Sequence, residues 1–269
     1  MEQKLYVLGT GNAAVTKCYN TCFALSDGEE LFLVDAGGGN GILAQFEKLD
    51  ISVNRIHHMF VTHKHTDHIL GAIWVVRMVA THMQKGNYKG DFRIYGHKEV
   101  VSMLHSFCEM MLAKKHAVFL DERIIFEEVV EGQTVEVMSY SVTFFDIFST
   151  KAKQFGFTTT LRDGAVLTFT GDEPYNEGCE KFVIGSTWLL HEAFCLDADK
   201  EVFGPYEKHH GTAKDAAKTA QELMAENLIL WHTEDKTIAS RKAEYTKEAK
   251  EIFDGKVFVP DDLEIIPLC

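Results

Sequence analysis

The segment VTHKHTDHILG, residues 61–71, holds three histidines and an aspartate within six positions and follows the apolar, strand-like run RIHHMFVT. No other stretch restricts the chain as much. Side chains of this kind cluster at a strand end when they share a task, and in extended backbone residues two apart point to the same side. His63 and His65 can therefore hold one cation through their imidazoles. Asp67 and His68 fall where the chain turns into HILGAIWVVRMVATHMQ, an apolar-rich stretch that reads as a helix, and a carboxylate sits well at a helix N-terminus. A single tetrahedral ion does not easily take two donors from each direction at such short spacing, so two adjacent ions are the natural arrangement.

Two ions need donors from elsewhere, and two later strands end on suitable ones. AVLTFTGD closes on Asp172 and NLILWH on His232. In α/β architectures, sites gather at the carboxyl ends of strands, where a rigid sheet fixes the backbone and the loops carry the chemistry. An aspartate can present one oxygen to each ion, which makes Asp172 the candidate bridge. Between these points, QTVEVMSYSVTFFDIF, FGFTTTLRD and AVLTFTGD are rich in β-branched and aromatic residues broken by Gly and Asp, the pattern of an antiparallel run. Strands are expected at 4–9, 21–25 and 31–34. Helices are expected over 41–49, 97–115 and near 245–253, and TAKDAAKTAQELMAEN forms another, with Thr212 and Asp215 at capping-box spacing. The fold class is mixed α and β. With only four prolines, no repeat and no Gly/Ser-rich linker, one continuous domain over 1–269 is expected.

Composition removes several functions. Forty acidic residues against 27 basic ones give a formal charge of −13, which repels polyanions and leaves no basic stripe for a nucleic-acid backbone. No apolar run has the length of a membrane span. The N-terminus enters strand-like sequence without a leader pattern. Cysteines at 18, 22, 108, 179, 195 and 269 are scattered without a CxxC pair, and a cytoplasmic protein is expected.

The chain resembles the metallo-β-lactamase-fold hydrolases, and within them the ribonuclease Z-like branch. The matching stretches are VLGTGNA, LFLVDAGGG, THKHTDHILG (the HxHxDH signature), TFTGD, LLHEAF, HHGTAKDAA and LILWHTED. The resemblance implies a four-layer αββα sandwich with a dinuclear site at one edge. Carried residue by residue, it makes His63 and His65 ligands of one ion, Asp67, His68 and His232 ligands of the other, and Asp172 the bridge, with Asp35 supporting the ligand loop. One departure follows. The family's further histidine ligand corresponds to Phe148, which leaves the first ion with His63, His65 and a share of Asp172. A water, His191, or occupancy by one metal alone are the three resolutions left open.

With imidazole and carboxylate donors and no thiolate, zinc is the first expectation, one ion or two, with manganese or iron tolerated by the same donors. Such a site generates hydroxide near neutral pH and neutralises charge on a phosphoryl or carbonyl oxygen, so the reaction is hydrolysis. By resemblance Asp67 orients the attacking hydroxide, while His210 in HHGT and Glu192 in HEAF serve as proton donor and partner; His209 leaves that register open by one residue. The expected substrate is a small anionic phosphodiester or related ester, with Lys151 and Lys153 near the metal edge to meet an anionic group. Transfer RNA processing is disfavoured, because the basic, glycine-rich arm of the tRNA-cutting relatives has no counterpart between Phe148 and Asp172. The alternatives are a thioester or lactone hydrolase, and a non-catalytic or mononuclear scaffold that lost turnover at Phe148. An assembly of identical subunits is compatible with the sequence.

Overall fold

Runs of β-branched and aromatic residues build the frame. The computed structural model describes residues 2–268, so Cys269 lies outside the described residues. In chain order the strands are β1 (Lys4–Gly9), β2 (Cys22–Ser26), β3 (Leu31–Val34), β4 (Ile56–Phe60), β5 (Phe92–Gly96), β6 (Ile124–Glu128) and β7 (Thr134–Val137). They continue with β8 (Tyr140–Asp146), β9 (Phe155–Thr160), β10 (Val166–Phe169), β11 (Trp188–Glu192), β12 (Asn227–Trp231), β13 (Lys256–Phe258) and β14 (Ile265–Pro267). Two seven-stranded sheets result, ordered β14-β1-β2-β3-β4-β5-β6 and β13-β12-β11-β10-β9-β8-β7.

Each sheet is antiparallel on one side and parallel on the other. The pairs β3–β4, β4–β5 and β5–β6 are parallel in the first, and β10–β11, β11–β12 and β12–β13 in the second. The antiparallel run read from the sequence is β7-β8-β9-β10. Strands β3, β11 and β12 are buried at every residue, which is why LFLV and LILW read as unbroken apolar runs, while β11 ends on the buried His191 and Glu192.

The sheets pack face to face over an aromatic layer in which Phe23 stacks on Trp231 with centroids 4.8 Å apart and Phe60 meets Phe144 at the same distance. The outer face of the first sheet is covered by the helix Thr66–Gln84, through Ile69, Val75, Val76 and Val79. That of the second is covered by the helix Ala213–Glu222, through Ala213, Ala216, Ala217 and Ala220. The order helix, sheet, sheet, helix is the four-layer αββα sandwich of the metallo-β-lactamase fold. The capping box forms as spaced: Thr212 Oγ1 accepts from the Asp215 N–H, and Asp215 Oδ2 accepts from the Thr212 N–H at 3.0 Å. No helix among the described residues is long and apolar enough to cross a membrane.

Two elements differ from the sequence reading. The helix expected over 97–115 ends at Met111 and a separate turn, Lys114–Ala117, follows, with Leu112 extended between them. The late helix spans Arg241–Lys250, starting four residues and ending three residues earlier than expected. Its first residue is a buried arginine that donates to Thr10, Thr233, the Pro260 carbonyl and Asp261, contacts that no local pattern announces.

Candidate metal centre

The parallel strands of both sheets point their carboxyl ends toward the same edge. After β3 comes Asp35, after β4 the segment from Thr62 to His68, after β10 Asp172, and after β12 His232. Strand pairing of β4 stops at Phe60, so His63 and His65 lie in coil beyond the strand and not within it. Asp35 takes over from the sheet there. Its Oδ1 accepts the Thr62 N–H at 2.9 Å and its Oδ2 accepts the Thr62 hydroxyl at 2.8 Å. Asp35 and His232 both sit in left-handed backbone, with φ of 54° and 58°, a conformation that costs a non-glycine residue roughly 1–3 kcal/mol and is held only where the surroundings demand it. The helix carrying Asp67 and His68 is seated on the turn after Asp35 at Gly71, where a Cβ would stand 1.7 Å from the Ala36 carbonyl oxygen. No other residue allows that approach.

Two groups of donors assemble. His63, His65 and Asp172 form one and Asp67, His68 and His232 the other, with the ligand atoms of each group within 4.8 Å of one another. Asp172 joins the groups. Its Oδ2 lies 3.5 Å from His63 Nε2, 3.4 Å from His68 Nε2 and 3.6 Å from His232 Nε2.

The Nδ1 side of each of these three imidazoles is already engaged. His68 Nδ1 is 2.7 Å from Asp35 Oδ2. His63 Nδ1 is 2.9 Å from Thr62 Oγ1, whose hydrogen goes to Asp35, and His232 Nδ1 is 3.1 Å from Thr21 Oγ1, whose hydrogen goes to the Gly11 carbonyl. The Thr21 hydroxyl has spent its hydrogen and accepts from the ring, so in His232 the proton sits on Nδ1 and Nε2 keeps its lone pair, whereas at His63 Nδ1 the Thr62 hydroxyl and the Gln154 amide nitrogen, 2.7 Å away, call for opposite tautomers. His68 Nε2 is fully buried yet makes no hydrogen bond, with Asp67 Oδ2 3.3 Å away. A buried ring nitrogen without a hydrogen bond, facing two carboxylates in a dry pocket, is an arrangement that a bound cation resolves by taking the place of a proton, and the donor set suits zinc, manganese or iron.

Without a cation the pocket stores positive charge as a proton: against burial, the Asp67 and Asp35 carboxylates hold the His68 imidazole well above its usual range. Burial pushes the Asp172 carboxyl up, but the imidazoles of His63, His68 and His232 outweigh it and hold it well below the usual carboxylate range. Burial likewise opposes ionisation of Asp67, and His68 and His232 overcome it. Burial lowers His232 to about 3, leaving a neutral ligand ring.

The groups border a cleft of about 570 Å³ lined by Asp67, Asp172, His65, His210, His232 and Phe194, with Lys64, Lys151 and Lys208 around it. Every carboxylate in that lining belongs to the donor groups. His210 is buried, stacks on Phe194 at 4.7 Å, and turns Nε2 toward Lys151 Nζ at 3.2 Å and Nδ1 toward Glu192 Oε2 at 3.7 Å. Its neighbour His209 bonds Thr150 and does not line the cleft. Glu192 is fully buried and accepts from the backbone N–H groups of Gly211 and Phe194; burial pushes its carboxyl up to about 8 and lowers His210 to about 4.

Other expected residues fall outside. Phe148 is 42% exposed, and its ring lies over Gly178, away from both donor groups. His191 alternates with Glu192 along β11 and gives Nδ1 to the Glu192 carbonyl, so it substitutes for no ligand. Lys153 pairs with Asp146 in a different cleft. Conversely, Thr21, Thr62 and Gln154 touch ligands and carry no motif that would have singled them out.

Comparison with known proteins places this arrangement. The family described as "Anti-Pycsar protein Apyc1" matches residues 3–249. Ribonuclease Z of Bacillus subtilis is 26% identical, matching 97% of this chain and 98% of its own length, and that of Thermococcus sibiricus is 23% identical over 97% and 95%. The Bacillus match runs over 314 positions against 269 residues here, so that relative carries residues without a counterpart in this chain. Among solved structures, the metallo-β-lactamase fold protein YhfI of Bacillus subtilis superposes with a TM-score of 0.79 at 18% identity, covering 98% of this chain and 99% of its own. Human tRNase Z, short form, gives 0.75 at 20% identity, covering 99% of both chains. A diphosphatase of the PhnP family gives 0.72 at 14%, covering 99% of this chain and 97% of its own.

Proposed function

Since the chain belongs to the anti-Pycsar protein Apyc1 family, we propose that it shares an anti-Pycsar role and exercises it as a metal-dependent hydrolase of a small phosphodiester. The observation that carries this reading is the convergence of three Nε2 atoms on one oxygen of Asp172 at the foot of a lysine-bordered cleft. His63, His65 and Asp172 would hold one ion and Asp67, His68 and His232, with Asp172 shared, the other. Such ions lower the pKa of a coordinated water and neutralise charge on a phosphoryl oxygen.

The protein's own groups do the rest. Asp67, at the helix N-terminus, orients the attacking water. Lys151 faces the cleft beside His210 and receives an anionic oxygen of the substrate. His210 turns Nε2 toward the leaving oxygen with Glu192 3.7 Å behind Nδ1, and once the substrate's anionic oxygen draws the Lys151 ammonium away from Nε2, that nitrogen is free to carry the proton the leaving oxygen takes. Phe194 keeps the imidazole in plane through its stack.

Substrate size follows from the cleft. About 570 Å³ is within the range that encloses a small ligand, and the acidic chain and the shorter span relative to ribonuclease Z argue against a tRNA body. The first donor group has three protein ligands against four for the second, which supports a mononuclear or non-catalytic scaffold as the second reading. Metal content with turnover of bis(p-nitrophenyl) phosphate separates the two. Two equivalents of ion, turnover abolished by a chelator and no cleavage of precursor tRNA are expected; one ion or none without turnover favours the scaffold. Hydrolysis of a thioester or lactone in place of the phosphodiester would reassign the substrate.

A further inference from the structure

Gln154 sits immediately before β9, is 1% exposed, and does not line the cleft. Its amide nitrogen lies 2.6 Å from Asp172 Oδ1 and 2.7 Å from His63 Nδ1, and its carbonyl oxygen lies 3.4 Å from the Asp172 N–H. Space for it is reserved by Gly171, where φ is +81° and a Cβ would stand 2.8 Å from Gln154 Oε1.

The contacts are unevenly shared between the donor groups. A carboxylate rotates about its last bond, and Asp172 serves as a bridge only while Oδ2 faces the three Nε2 atoms. Gln154 fixes that rotation by capturing Oδ1. In the second group, Asp35 holds His68 and Thr21 holds His232, and neither Asp67, His68 nor His232 touches Gln154. In the first group Gln154 donates to Asp172 Oδ1 and stands against His63, and Asp172 is there one of only three donors, against one of four when it is shared with the second group. With Phe148 turned away, that group has no further protein ligand among the described residues to compensate.

Resting on the reading of a two-ion centre, we propose that Gln154 is the positioning residue of the first site: this chain binds its two ions unequally, and the weaker ion depends on the Gln154 amide. The experiment is cobalt(II) titration of the chelator-stripped full chain by calorimetry and visible absorption. Wild type should take up two ions with separable affinities, and His65→Ala, which removes a donor of the first group alone, should abolish the weaker event and so assign it. Gln154→Met keeps the volume and removes the amide. It should weaken that event by roughly 10–100-fold, the usual effect of losing a ligand's hydrogen-bond partner, while leaving the tighter one in place. Gln154→Glu sets a carboxylate against Asp172 Oδ1 and should do the same, which keeps the test sound if one variant folds poorly. Unchanged or stronger binding of the weak ion in both variants, or equal weakening of the two ions, would overturn the assignment to Gln154 and leave the metal centre standing. Failure of the wild type to take up any cobalt would remove the centre itself.

Discussion

Where the proton resides between Glu192 and His210 can be tested through stability alone. Glu192 is fully buried with its folded pKa raised by burial from 4.5 to about 8. Below pH 4.5 the carboxyl is protonated in both states. Between 4.5 and 8 the unfolded chain has released the proton and the folded chain retains it, so unfolding releases a proton and rising pH favours the unfolded state. Stability from this group is therefore complete below pH 4.5 and lost as pH rises to about 8. The interval between those values corresponds to roughly 5 kcal/mol at most, with no solvent screening to discount at a fully buried site. Denaturant unfolding of the metal-free chain from pH 5 to 8 measures it, metal being removed because ligand binding carries its own proton linkage. Glu192→Gln supplies the reference: it keeps an oxygen for the Gly211 N–H and cannot titrate. The wild type should lose stability relative to the variant by a few kcal/mol across that range. Parallel curves would show that Glu192 is ionised in the fold, and the proton assigned to it would then belong on His210.

The other expectations concern single contacts. Asp172→Asn removes the charge shared by both donor groups and should lower cobalt uptake at both, with turnover falling on the order of 100-fold or more. Metal content and bis(p-nitrophenyl) phosphate kinetics check this. Lys151→Met should raise KM for an anionic substrate about tenfold, the worth of one charge-assisted contact, and flatten the salt dependence of kcat/KM; an unchanged KM would exclude Lys151 from binding. Phe148→His should leave cobalt stoichiometry unchanged, because the ring at 148 lies over Gly178; a gained or tightened ion would return that position to the ligand set. Thr212→Ala removes the cap of Ala213–Glu222 and should cost about 1 kcal/mol in denaturant unfolding.

These outcomes also trace which parts of the centre local sequence can reveal. His63, His65, Asp67 and His68 were legible because one turn from extended coil into helix brings them together, and a strand or helix period describes that turn. Asp172 and His232 were legible through their place at strand ends, since the carboxyl edge of parallel strands is where a sheet offers fixed positions. Gln154 was not. It lies among polar residues in STKAKQ, and its significance exists only because β9 pairs with β10 and sets it beside Asp172. Thr21 and Thr62 are equally ordinary until Gly11 and Asp35 take their hydroxyl hydrogens and turn them into acceptors. The same holds for Phe148. Its alignment with a ligand position concerns order along the chain, whereas its exposure is set by a left-handed turn, φ 58°, that swings the side chain outward. Residues that bind an ion directly must be chemically conspicuous, so sequence exposes them. Those that decide a ring's tautomer or a carboxylate's rotation need only one correctly placed hydrogen-bonding group, and many residue types supply it. An account of this centre from ligands alone would therefore treat its two ions as equivalent, and the contacts around Asp172 show why they should differ.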